Sequence, residues 1–176
     1  MRVLVVYESM FGNTAAIAGA ISAGLKIETH ATVELFEVGR APLQIDSAVD
    51  LVVIGGPTHA FGMSRPETRE AASEVSAPLV SPGPGIREWI TTVTAPAGMT
   101  FAVFCTKVRG PLPGSAAKSA ARELTERGWR QVAAPMTFHV HGKLGPLVDG
   151  EERRATGWGQ TIAAACQAEM TSGRRS

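Results

Sequence analysis

Five consecutive apolar residues, Val3-Leu4-Val5-Val6-Tyr7, predict a strand buried on both faces. A short loop of hydroxyl, glycine and amide residues follows it. Beyond the loop, Ile17, Ala18, Ile21 and Leu25 share one side of a helical period, which predicts an amphipathic helix. The next strand is predicted over Thr32–Val38, and another apolar run covers Leu51–Gly55. A third run, Thr100–Cys105, puts Phe101, Val103 and Cys105 on one face and Ala102 and Phe104 on the other. The last strand is predicted over Gln131–Val140, and Pro135 inside it argues for a sheet edge. Helices are predicted at Ser115–Arg127, closed by Gly128, and at Gly150–Met170. The final helix has Asp149 as a candidate N-cap with Glu152 three residues on, and an inner stripe of Ala155, Trp158, Ile162 and Cys166. Strands alternating with helices predict a parallel α/β sheet.

Between the third and fourth strands the chain is longer than such a sheet requires. Ser64-Arg65-Pro66-Glu67 reads as a capped helix start and Ile86–Val93 as a second helical piece, with Trp89 and Val93 placed to cover the sheet. The Pro/Gly patch between them, Pro78–Gly85, reads as a surface flap or a docking loop. Residues 1–170 are therefore expected to form one domain with an insertion at about 64–96, followed by a polar tail at 171–176.

Charge changes the picture by exclusion. Seventeen Lys and Arg stand against sixteen Asp and Glu, a net charge of +1, so nothing points to nucleic acid or an anionic membrane surface. No apolar run approaches the ~20 residues of a membrane span, and the run after Met1-Arg2 is too short for a signal peptide. Cys105 and Cys166 lie in apolar surroundings without metal-binding spacing and read as buried thiols of a cytoplasmic protein. His139 and His141 are two apart on the last strand and share an expected edge face, with no third metal ligand placed beside them.

The loop after the first strand, Glu8-Ser9-Met10-Phe11-Gly12-Asn13-Thr14, carries the candidate chemistry. A strand, a tight polar loop and a helix start make a pocket for an anion. No Lys or Arg lies between Val3 and Lys26, so this is not a nucleotide triphosphate loop. Gly12 alone cannot supply a dinucleotide fingerprint. Neither cysteine is near enough to act as a phosphatase nucleophile. The strand ends also lack the aspartates of a phospho-acceptor domain. What remains is a charge-neutral cradle of Ser9 and Thr14 hydroxyls, the Asn13 amide and loop N–H groups, suited to a terminal monophosphate that is bound, not transferred.

Val5, Val6, Tyr7, Ser9, Gly12, Thr14 and Ala18 together resemble the signature of the flavodoxin family. The resemblance implies an α/β, doubly wound, five-stranded parallel sheet of strand order 2-1-3-4-5. It also implies a bound FMN whose phosphate is held by Ser9, Met10, Gly12, Asn13 and Thr14, with Phe11 in the same loop among the cofactor-binding residues. In the loop Gly56–Met63, Ala60-Phe61-Gly62 resembles the family segment in which an aromatic ring stacks on the flavin. Phe61 takes that role by resemblance, and Gly62 that of a glycine whose backbone turns over on reduction, since positive φ carries no steric cost there. Pro57, Thr58 and His59 border the same site, with His59 read as a hydrogen-bonded residue rather than a proton donor. The third loop supplies Thr106, Lys107, Arg109, Leu112 and Gly114. It departs from the family in having no aromatic residue, so Leu112 or a proline ring covers the outer flavin face, or the face is left open.

The resemblance implies an electron carrier working between a reductase and an acceptor protein, with no catalytic residue of its own. Quinone-type and protoporphyrinogen-type oxidoreductases share the fold, so an FMN-dependent enzyme with a small quinone-like acceptor is the alternative, and a flavin-free binding module a third reading. Met63 stands where the family commonly has an acidic residue, and Lys107 and Arg109 lie in the facing loop. Cations within ~4–6 Å favour the anionic reduced cofactor. The second reduction potential is therefore expected to be clearly less negative than in acidic flavodoxins. Potentiometry that returns a value as low as theirs would contradict this.

Overall fold

A computed structural model describes residues 1–29, 31–111 and 113–173. Its centre is a wholly parallel sheet of β1 (Arg2–Tyr7), β2 (Thr32–Glu37), β3 (Leu51–Pro57), β4 (Thr100–Val108), β5 (Arg130–Gln131) and β6 (Met136–Val140). The strand order is β2-β1-β3-β4-β5, with β6 also paired to β4. This is the 2-1-3-4-5 order of the flavodoxin-like fold. The run expected as one strand over 131–140 is two. β5 pairs with Thr100 and Phe101, and β6 pairs with Phe104 through Val108. Four residues, 132–135, span only two on β4, and Pro135 among them has no N–H to give the ladder. The extra strand is a broken edge.

Helices α1 (Asn13–Thr29) and α5 (Glu151–Gly173) cover one face, while α3 (Ile86–Thr92) and α4 (Ala116–Glu126) lie against the other. The short helix α2 (Pro66–Val75) precedes α3. The expected periodicities are met. Ile17, Ala18, Ile21, Leu25, Ala155, Trp158, Ile162 and Cys166 are all buried in one core with Ala102 and Phe104, and Phe101, Val103 and Cys105 are buried in the other with Trp89 and Val93. Phe104, Phe138 and Trp158 meet edge to face at 6.2–6.3 Å between ring centroids. Burial pushes the Cys166 thiol up to about 11, so it behaves as a small hydrophobe.

The expected capped start of α2 is present, with the Thr68 hydroxyl accepting the N–H of Arg65 at 2.9 Å. Two local expectations are corrected. The final helix starts at Glu151, behind Gly150 at φ +84°, so Asp149 sits one residue too early to cap it. His141 lies beyond the end of β6, so it shares no strand face with His139. His139 Nδ1 instead lies 3.6 Å from Glu151 Oε1. Among the described residues no helix is long and apolar enough to cross a membrane, and no cluster of three metal-ligating side chains occurs.

Helices α1 and α5 approach through glycine. A Cβ on Gly24 would fall 2.0 Å from the Thr156 carbonyl oxygen, and one on Gly159 would fall 2.4 Å from that of Ile21. Alanine gains ~1 kcal/mol of helix propensity over glycine, but overpacking costs ~1–3 kcal/mol and backbone carbonyls cannot swing aside. Gly24→Ala is expected to lose about 2 kcal/mol in urea unfolding; a neutral or stabilised variant would show that the helices slide apart freely.

Candidate functional site

The carboxyl ends of β1, β3 and β4 open into a cavity of about 360 Å³ at the point where the strand order reverses. Its floor is the loop after β1. Ser9 and Thr14 are buried, Gly12 holds φ +90°, and the Gly12 N–H donates to Ser9 Oγ at 3.1 Å. Helix α1 starts here with the Ala16 N–H on the Gly12 carbonyl, so the first-turn N–H groups have no partner within the helix. Thr14 Oγ1 and Thr106 Oγ1 are 2.7 Å apart, which ties β4 to the loop and leaves one of the two hydroxyl hydrogens free to donate onward.

The Pro/Gly patch is not a free flap. Ser81 is fully buried, and its hydroxyl accepts the Ser9 N–H at 3.0 Å while its own N–H donates to the Ser9 carbonyl at 2.8 Å. The Val80 N–H adds a bond to the Met10 carbonyl at 3.0 Å. Segment 80–81 thus splints the loop from behind, which the composition of the patch concealed.

The second wall comes from β3. Thr58 joins β4 through its N–H to the Thr106 carbonyl at 2.8 Å, and its hydroxyl accepts the Ala116 N–H at 3.2 Å. His59 and Gly62 exchange both backbone hydrogen bonds at 2.9 Å, which closes a two-residue turn at Ala60-Phe61. The left-handed residues are Ala60 at φ +40° and Phe61 at φ +76°, whereas Gly62 is not left-handed. The glycine expected to turn over on reduction is thus preceded by two left-handed residues. Two non-glycine residues held there store of order 1–3 kcal/mol each. Phe61 is 58% exposed and stands outside the cavity lining, so its ring does not cover the cavity in this arrangement.

Of the expected residues, Ser9, Met10, Phe11, Asn13, Thr14, Pro57, Thr58, His59, Thr106 and Lys107 line the cavity. Gly12, Phe61, Gly62, Arg109 and Gly114 do not, and Leu112 lies outside the described residues. Arg109 is exposed, so of the two expected cations only Lys107 reaches the cavity, with Nζ donating to the Gly114 carbonyl at 3.0 Å. The far wall was not foreseen. It is α2, through Thr68, Ala71, Ala72 and Val75, together with Val108, Val140 and Lys143. Residues 68, 71, 72 and 75 follow the helical period, a signal present in the sequence but weak among the surrounding glutamates.

Behind the cavity, Glu8 is buried. Its Oε2 accepts the Ile86 N–H at 2.8 Å, the Ser64 hydroxyl bonds to the carboxylate, and Oε1 has no partner among the described residues. Arg69 Nη1 lies 2.9 Å from Ser64 Oγ and 3.1 Å from Glu88 Oε2, so a chain of polar contacts joins β1 to α2 and α3. Burial raises the Glu8 pKa above the usual carboxylate range against these contacts. Burial likewise lowers that of His59, helped by the Arg69 charge, so His59 stands neutral in the cavity wall near pH 7.

No protein-family model and no curated protein sequence matches this chain. Solved structures do. A flavodoxin from the domain Archaea superposes with TM-score 0.64 at 19% identity, covering 95% of this chain and 99% of that one. Oxidised flavodoxin 1 from Bacillus cereus gives 0.65 at 20% identity, covering 93% and 98%. A WrbA-like protein from Agrobacterium tumefaciens gives 0.56 at 18% identity, covering 95% and 98%. The fold is flavodoxin-like.

The raised Glu8 pKa sets the sign of a pH dependence. The stability that its protonated form contributes is fully present below the ordinary value of 4.5 and is lost as pH rises through the folded-state value. Glu8→Gln removes that titration and keeps an acceptor for the Ile86 N–H. The unfolding free energy of wild type minus variant should therefore fall as pH is raised above 4.5. A difference that stays flat across a pH series of urea melts would mean that Glu8 is ionised throughout.

Proposed function

We propose that this chain binds flavin mononucleotide in the crevice and shuttles electrons between a reductase and an acceptor. The observation that carries this reading is the uncharged loop at the start of α1, open to a cavity whose remaining walls are mostly apolar. A phosphate monoester suits that loop. Ser9, Asn13, Thr14 and the first-turn N–H groups of α1 would hold it, with Met10, Phe11 and Gly12 shaping the turn. The ring system would lie along Pro57, Thr58, His59 and the apolar stripe of α2, above Thr106 and Lys107. Phe61, Gly62, Arg109 and Gly114 belong to the segments that border it. Bound there, the flavin supplies reversible electron transfer at its ring, while the chain holds it and sets its potential. A neutral His59 offers that ring a hydrogen bond without adding charge.

A second reading, an FMN-dependent oxidoreductase with a small quinone-like acceptor, draws on the cavity mouth. Phe61, Val75, Val80 and Leu144 are exposed large apolar side chains, and each lies on a segment that borders the mouth. Such a rim favours an apolar acceptor that enters directly.

One experiment separates the readings. The purified protein is inspected for bound yellow flavin, and NADPH is then added anaerobically without a reductase. Bleaching only after a partner reductase is supplied is the expected result and supports the carrier. Direct bleaching with turnover of a quinone supports the enzyme. A colourless protein that ignores added FMN would end both.

A further inference from the structure

The loop at the start of α1 is uncharged, yet a cation reaches the same cavity from far along the chain. After β6 the backbone folds back on itself. The Val148 N–H donates to the His139 carbonyl and the His141 N–H to that of Pro146, each at 2.9 Å, and Val140 bridges Leu147 antiparallel. The Gly145 N–H closes on the Gly142 carbonyl at 3.0 Å, so Gly142-Lys143-Leu144-Gly145 is a β-turn at the tip of a small hairpin. Lys143 and Leu144 are its two central residues.

That tip is seated on the candidate phosphate loop. Asn13 Nδ2 donates to the Leu144 carbonyl at 3.0 Å across 131 positions of sequence. Gly145 follows at φ +105°, where a Cβ would fall 2.6 Å from Asn13 Oδ1 and 2.7 Å from Nδ2. Only glycine allows the turn to close this near the Asn13 amide. Lys143 is thus one residue from a fixed contact with the loop, and it lines the cavity with Ser9, Asn13 and Thr14. Its ammonium has no hydrogen bond or ion pair among the described residues.

We propose that Lys143 is the phosphate-binding cation of this site, delivered by the hairpin after β6, and that it makes the chain select phosphorylated flavin over riboflavin. The inference rests on the flavin reading above. The cradle by itself answers a phosphate dianion with neutral donors and the partial charge of one helix start. A compact ammonium on a flexible stem adds a charge-assisted hydrogen bond to any phosphate oxygen without demanding the fixed geometry of a guanidinium. Lys143 is exposed, so its replacement is expected to leave the fold intact.

The test titrates FMN and riboflavin separately into the full chain freed of flavin, followed by quenching of flavin fluorescence, for wild type, Lys143→Ala and Lys143→Arg. FMN affinity is expected to fall about tenfold in Lys143→Ala, with riboflavin affinity unchanged and Lys143→Arg close to wild type. The dependence of FMN affinity on salt should flatten in the alanine variant alone. An unchanged FMN affinity, or an equal loss for FMN and riboflavin, overturns the role of Lys143 while the flavin reading stands. A wild type that binds neither ligand overturns both.

Discussion

The pairing of Ser9 with Ser81, one backbone hydrogen bond and one to the Ser81 hydroxyl, is the contact on which the crevice depends. A loop that leaves N–H groups open has few bonds of its own, here the Gly12 N–H to Ser9 Oγ, so it must be held from elsewhere. Ser81 holds it from behind, Thr106 ties Thr14 to β4, and Asn13 reaches forward to the Leu144 carbonyl. Three distant parts of the chain thereby stiffen a turn that has few internal bonds. Preorganisation of this kind lets uncharged donors compete with water for an anion.

The polar chain behind the loop extends the same logic. Glu8 follows β1, and its carboxyl connects through Ser64 and Arg69 to α2 and directly to the start of α3. Segment 64–96 therefore serves the site as well as the core. Helix α2 walls the cavity, α3 fills the sheet face with Trp89 and Ile90, and the patch between them splints the loop. A buried carboxyl with one oxygen lacking a partner among the described residues is a costly way to fasten two helices. Burial raises its pKa, which makes the fastening sensitive to protonation.

The turn at Ala60-Phe61 stores backbone strain at the rim of the same cavity. Left-handed conformations at alanine and phenylalanine persist only where surrounding bonds over-determine them, and here His59 and Gly62 bond to each other on both sides. The apolar rim, the strained turn and the lysine at the hairpin tip all lie at the mouth, at one end of the sheet.

The sequence by itself determined the sheet and its two cores. Apolar runs and helical stripes such as Ile17-Ile21-Leu25 and Trp158-Ile162-Cys166 are local periodicities, and burial enforces them directly. It also determined the floor of the site, because Ser9 to Thr14 are contiguous and their chemistry is read in one place. Only the tertiary structure decided what surrounds that floor. Lys143, Ser81 and the α2 stripe lie far from residues 9–14 along the chain and meet them only because parallel strands bring all their carboxyl ends to one edge. The left-handed turn is not legible in the sequence for a related reason: Ala60 and Phe61 have no intrinsic preference for positive φ, and the conformation is imposed by the hydrogen bonds that close around them.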